Sequence, residues 1–226
     1  MSPHPAREFV NEGVNPPIRG FLHTPDTPNG DVLILSHGAG GNAQAPLLRA
    51  LAEAFANAGL LVLRCNLPFR QVRAFGPPGP GDAAHDRAGL KNAVEEMRKQ
   101  AHGRIFLGGH SYGGRQSSML CAEEPALVSG LLLLSYPLHP PRKPEQQRTQ
   151  HLPDLRTPTL FVHGTRDPFG SISELEQALK MIPAKTKLLP VEGAGHDLGF
   201  KGKPTGADLS NLILSEFVRL TDPSRS

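Results

Sequence analysis

Arg104-Ile105-Phe106-Leu107-Gly108-Gly109-His110-Ser111-Tyr112-Gly113-Gly114 decides how the rest of the chain is read. An apolar run ends in glycines, a serine stands at the corner, and a helix-forming stretch follows. That order predicts a strand, a sharp turn and a helix. Gly109 and Gly113 flank Ser111 in the pattern G-x-S-x-G. A serine at such a corner takes strained backbone angles, and side chains two positions away would collide across the turn. The turn lifts the hydroxyl clear of the sheet, and the helix starting there presents amides that favour negative charge. Ser111 is therefore the candidate nucleophile.

Working outward, short apolar runs alternate with helical patterns. Val32–Leu35, Leu60–Leu63, Gly130–Tyr136, Thr159–Val162 and Lys187–Val191 suit parallel strands covered on both faces. Residues 45–58, Asp82–Ala101 with Asp82 as N-cap, Ser111–Glu124, and a closing stretch through Leu209, Ile213, Phe217 and Leu220 carry helical spacing. Ser173–Ile182 is a further helix, with Ser173 and Glu176 set as a capping box. Glu8–Val10 and Ile18–Leu22 suit two antiparallel edge strands. Residues 66–81 read as a proline-dotted loop or a mixed turn region, and 137–158 as a polar, proline-rich connection too short for a large lid. The fold class is α/β: a mostly parallel, doubly wound sheet flanked by helices. Residues 1–226 make one domain, with 1–6 and 221–226 loose.

Composition narrows the function. The chain has 226 residues, a net charge of +3 and only 5% aromatics. That balance does not fit nucleic-acid binding. Cys65 and Cys121 are too sparse for a disulfide framework or a zinc site. No stretch reads as a signal peptide or a membrane span, so a cytoplasmic protein, monomeric or a small homo-oligomer, is expected.

In parallel sheets ligands bind beyond the strands' carboxyl ends, where the glycine-punctuated segments fall. A serine hydroxyl needs a base, and the base needs an orienting acceptor. His196, in Gly193-Ala194-Gly195-His196 after the last strand, is the candidate base. Asp167, in Gly164-Thr165-Arg166-Asp167-Pro168, is the candidate orienting carboxylate, with Asp154 as runner-up. Asp197 abuts His196 and is poorly placed to serve it. His110 should point away from the rim, while His37 and His163 end strands and suit structural contacts. The oxyanion donors are expected to be the amides of Tyr112 and Ala39, with Gly40 next. Phe69, Phe75, Tyr136 and Phe169 are candidate walls of a substrate pocket. Arg70 and Arg73 are candidates to meet an acidic group, against the alternative that they solvate the surface. A rival reading takes Gly38-Ala39-Gly40-Gly41-Asn42-Ala43 as G-x-G-x-x-A of a dinucleotide site, with Arg64 near the ribose position. It leaves the Ser111, Asp167 and His196 turns unexplained.

On Ser36-His37-Gly38-Ala39-Gly40-Gly41, Gly109-His110-Ser111-Tyr112-Gly113-Gly114, Gly164-Thr165-Arg166-Asp167 and Gly193-Ala194-Gly195-His196, the chain resembles the α/β-hydrolase superfamily. Within it, the chain is similar to the small dienelactone-hydrolase-related proteins. There it resembles the group that includes testis-expressed protein 30 and KAT8 regulatory NSL complex subunit 3. Ser135-Tyr136-Pro137-Leu138-His139-Pro140-Pro141 is similar to that group's proline-rich signature. Dienelactone hydrolase itself has a cysteine where this chain has Ser111. The resemblance implies a serine hydrolase fold. The expected activity is cleavage of small carboxylic esters with no metal or organic cofactor. A thioesterase or peptidase with the same triad, and an idle hydrolase-fold scaffold for protein binding, are the alternatives.

Overall fold

The computed structural model describes residues 6–200 and 206–222. Eight strands form one sheet in the order β1-β2-β4-β3-β5-β6-β7-β8. They are β1 Arg7–Asn11, β2 Ile18–His23, β3 Val32–Ser36, β4 Leu61–Cys65, β5 Ile105–His110, β6 Gly130–Leu134, β7 Thr159–Gly164 and β8 Thr186–Val191. β1 and β2 pair antiparallel, as does β2 with β4, and all other pairs are parallel. Among the described residues the α-helices are α1 Pro46–Asn57, α2 Pro68–Val72, α3 Asp82–Arg98, α4 Tyr112–Glu123, α5 Ile172–Leu179 and α6 Gly206–Thr221.

The central strands β3, β5, β6 and β7 bury both faces because their residues are apolar or small at successive positions, and the period-2 alternation sends them to opposite sides. Leu33, Leu35, Val62, Leu132 and Val162 pack with Phe55 of α1 and Phe217 of α6. Ile34, Leu63, Leu107, Leu133 and Phe161 pack with Leu90 and Met97 of α3, Leu120 of α4 and Leu175 of α5. Each fully buried Leu, Ile or Phe contributes about 1.5–3 kcal/mol of transfer free energy, so the two layers together hold the sheet. Among the described residues no inserted lid covers the rim, and no described helix is long and apolar enough to cross a membrane.

Several boundaries differ from the sequence expectations. α2 interrupts the 66–81 loop, with Pro68 in its first turn. α3 starts at Asp82 itself, with Gly81 as N-cap, and stops at Arg98. The capping box of α5 is Ser171 with Glu174, two residues before the expected pair, directly after Gly170 breaks the chain at φ 156°. β6 ends at Leu134 because Ser135 turns to φ 50°. Thr221, expected to be loose, is the buried last residue of α6 and its hydroxyl donates to Phe217 O. Residues 1–5 and 223–226 of the expected loose ends lie outside the described residues.

Candidate active site

The corner after β5 is built as the motif requires. Ser111 sits at φ 52° and ψ −116°, between β5 and the first turn of α4. A Cβ on Gly109 would lie 2.4 Å from Ser36 Oγ, and one on Gly113 would lie 2.5 Å from His37 O. The missing side chains therefore let α4 and the end of β3 close on the strained serine.

Three side chains, from three separate strand ends, meet at this corner. Ser111 Oγ lies 2.8 Å from His196 Nε2, and His196 Nδ1 lies 2.7 Å from Asp167 Oδ2. A carboxylate only accepts, so Nδ1 carries the proton and donates to Asp167. Nε2 is left with a lone pair that accepts the Ser111 hydroxyl. Burial pushes the Asp167 carboxyl up, but the His196 hydrogen bond and charge and the Phe169 amide outweigh it and hold it below the usual range. The Phe169 amide donates to Asp167 Oδ1 at 2.9 Å. Asp154 lies exposed in a short turn at Leu152–Asp154, and Asp197 accepts from the Gly199 amide.

The oxyanion candidates fall on the same rim. Tyr112 is the first residue of α4, where a helix has no acceptor of its own for the amide. Among the described residues no acceptor is present for the amides of Ala39 and Gly40. The Gly38 carbonyl accepts from Gly41 N at 3.0 Å and from His37 Nδ1 at 2.8 Å. His37 Nε2 accepts from the Leu67 amide at 3.1 Å, which fixes its tautomer. Burial pulls the His37 pKa down to about 4, so the ring stays neutral. A Cβ on Gly38 would sit 3.3 Å from Ser111 Cβ, so this loop passes directly over the serine.

Two groups were not found from sequence. His110 does not point away: its Nε2 donates to His196 O at 2.7 Å, and its ring centroid lies 5.1 Å from that of His196. Burial lowers its pKa to about 4. The loop that returns over it comes from the last strand, a long-range contact that local alternation cannot foresee. Asp86 of α3 is fully buried and accepts from Tyr112 Oη at 2.7 Å and from the Phe69 amide at 3.0 Å. It ties the first residue of α4 to α2 and α3. Burial raises its pKa, against both hydrogen bonds. A helix position such as Asp86 carries no sequence signal beyond an acidic residue on an apolar face.

The four aromatic candidates separate. Phe169 is half-buried and its ring centroid lies 4.3 Å from that of His196. Phe69 is 1% exposed, packed edge-on against Tyr112, and Tyr136 is likewise buried with its hydroxyl donating to Arg148 O. Neither is open to a substrate. Phe75 is 89% exposed on the loop after α2, so it packs against no wall. Arg70 is buried and bonds to backbone carbonyls rather than facing solvent, and Arg73 pairs with Asp82. Arg64 is also buried, donating to His23 Nε2 and Ala43 O against the Phe21 ring, so it ties β4 to β2 and to the segment before α1 and cannot meet a ribose. His163 donates to Gly170 O at 2.8 Å in the structural role expected of it. Both cysteines are free and buried.

A family profile described as Alpha/beta hydrolase domain matches residues 29–219. The solved structures similar to this chain include an alpha-beta serine hydrolase homologue from Coxiella burnetii. It has a TM-score of 0.75 and 18% identity, covering 93% of this chain and 96% of that one. A dienelactone hydrolase from Anabaena variabilis has a TM-score of 0.72 and 22% identity, covering 95% and 98%. A serine hydrolase without a lid from Xanthomonas campestris has a TM-score of 0.71 and 18% identity, covering 97% and 96%. At these identities the likeness is one of fold. Among curated proteins, 48 residues are 48% identical to part of polyketide synthase ThaQ of Burkholderia thailandensis. That match takes in 21% of this chain, which spans 2% of the length of that relative.

Proposed function

The chain belongs to the alpha/beta hydrolase domain family, membership supports a hydrolase, and on that premise we propose a serine hydrolase that cleaves small or short-chain carboxylic esters. Ser111 is the nucleophile, His196 the base and Asp167 the carboxylate that orients it. The observation that carries the reading is the continuous path from Ser111 Oγ to His196 Nε2 at 2.8 Å and from His196 Nδ1 to Asp167 Oδ2 at 2.7 Å. A neutral imidazole in that tautomer has its lone pair on the hydroxyl, as a general base requires.

In this proposal Ser111 Oγ attacks the acyl carbon as its proton passes to His196 Nε2. Negative charge gathers on the former carbonyl oxygen, which the amides of Tyr112 and Ala39, with Gly40 beside them, stabilise by donating. Asp167 stays ionised and steadies the imidazolium. His196 then gives its proton to the departing alkoxide, leaving an acyl group on Ser111. Water next loses a proton to His196 and attacks the acyl carbon; the Oγ–acyl bond then breaks, His196 returns that proton to Ser111 Oγ, and the acid leaves with the serine hydroxyl and the neutral imidazole restored. Every proton and bond in this sequence is handled by the chain's own groups and water.

The rim is open among the described residues, and Phe169 is the aromatic beside His196, which favours small acyl or alcohol groups. A panel of p-nitrophenyl esters, acyl-CoA thioesters and peptide amides tests the reading with wild type and Ser111→Ala. Ester turnover that disappears in Ser111→Ala is the expected result. Preferential thioester or amide turnover would change the substrate class while keeping the nucleophile. No turnover of any of the three would favour the protein-binding scaffold.

A further inference from the structure

We propose that Arg70 is a positioning residue that aims the oxyanion loop, an inference that rests on the serine hydrolase reading above. Arg70 lies in α2 and is 8% exposed. Among the described residues its guanidinium meets backbone carbonyls and no carboxylate. Nη2 donates to Ala39 O at 2.7 Å and to Gly76 O at 2.8 Å, Nε donates to Gly41 O at 2.8 Å, and Nη1 donates to Arg73 O at 3.1 Å. One cation therefore holds two carbonyls of the oxyanion loop and two of the loop that follows α2. Its far face lies over the Phe69 ring, 4.8 Å from the centroid, and Phe69 in turn packs on Tyr112.

The consequence follows from the planarity of the peptide unit. In a trans peptide the C=O and N–H point in opposite directions, so pinning a carbonyl aims the amide of the next residue. The Gly38 carbonyl is pinned by His37 and Gly41, which aims the Ala39 amide. The Ala39 carbonyl is pinned by Arg70, which aims the Gly40 amide. Gly40 is exposed and nothing lies within 4 Å of where its Cβ would be, so no packing does this job in place of Arg70. A guanidinium suits the task because its donors are fixed in one plane and reach several acceptors at once. An ammonium is a single point with no such fork. Four hydrogen bonds already occupy most of the five donors, which leaves Arg70 poorly suited to bind an acidic group on a substrate.

The test uses the full chain as wild type, Arg70→Gln, Arg70→Lys and Ser111→Ala, with p-nitrophenyl acetate as substrate. A trifluoromethyl ketone serves as the inhibitor whose adduct with serine carries the oxyanion. The expected result for either Arg70 variant is a kcat about 100-fold lower with little change in KM. The inhibition constant should weaken by the same factor, and the acid limb of the pH profile should stay in place because His196 is untouched. A folded Arg70→Lys protein with wild-type kcat would overturn the proposal, as would a lost kcat with unchanged inhibition. If Arg70→Gln does not fold, Arg70→Lys decides alone. If neither folds, Arg70 is part of the scaffold only and the proposal falls. Hydrolysis that survives in Ser111→Ala would instead sink the serine hydrolase reading itself.

Discussion

Replacing Gly113 by alanine puts a methyl group into the second position of α4, where helix propensity alone predicts a gain of about 0.5–1 kcal/mol. The geometry of the corner predicts the opposite sign. The new Cβ would lie 2.5 Å from His37 O, 2.6 Å from Ser36 Oγ and 3.1 Å from Ser36 C. Two of these are backbone atoms at the end of β3, and ordinary contact begins at 3.4 Å. Opening 2.5 Å to 3.4 Å needs α4 and the end of β3 to part by about 1 Å. Overpacking costs about 1–3 kcal/mol, so after the propensity gain the net loss is up to about 2.5 kcal/mol. For a domain of this size that lowers Tm by up to about 10 °C. The same movement carries Ser111 and the oxyanion loop apart, and a misplacement of about 1 Å lowers kcat by about 100-fold. Thermal melting by circular dichroism reads the first effect, and p-nitrophenyl acetate hydrolysis reads the second. A Gly113→Ala protein that melts higher than wild type and keeps its kcat would refute the steric account of the corner.

Other outcomes follow from the same geometry. Asp167→Asn removes the acceptor that selects the His196 tautomer, so kcat should fall by about 10⁴-fold, measured by steady-state ester hydrolysis. An Asp167→Asn enzyme within tenfold of wild type would show that Asp167 does not orient the base. Phe169→Ala removes the ring beside His196 and should let bulkier acyl chains turn over relative to acetate, read from the ratio of kcat/KM across a p-nitrophenyl ester series. An unchanged ratio would place Phe169 outside the pocket. His23, His37, His110 and His151 each have a pKa lowered to about 4, with burial the largest cause. Such histidines are neutral when folded but take up protons when unfolded. Their stabilising effect is fully present above pH 6.5 and is lost as pH falls from 6.5 toward 4. Urea unfolding at stepwise pH should show stability declining through that window, and a flat profile would contradict their burial as neutral rings.

How much of this was legible in the sequence depends on the range of the interactions involved. The corner at Gly109-His110-Ser111-Tyr112-Gly113 was readable because strand, strained serine and helix start are all local. The strands Val32–Ser36 and Gly130–Leu134 were readable because burial on both faces demands an unbroken apolar run. Asp167 and His196 could be nominated because each follows a strand end that the parallel sheet must bring to one rim. The aromatic pocket could not be read: tertiary placement alone buries Phe69 and Tyr136 and leaves Phe75 exposed. The α5 cap was ambiguous because Ser171 and Ser173 each precede a glutamate by three, and only Gly170 settles the register. His110, Asp86 and Arg70 were invisible in role, since their partners, the His196 carbonyl, the Tyr112 hydroxyl and the Ala39 carbonyl, lie in distant segments.

Reaction of the protein with a fluorophosphonate, followed by mass spectrometry, tests the nucleophile most directly. The account predicts one adduct per chain, carried by the peptide containing Ser111 and absent from Ser111→Ala. A folded wild-type protein that takes up no adduct, or one labelled equally after Ser111→Ala, would contradict it.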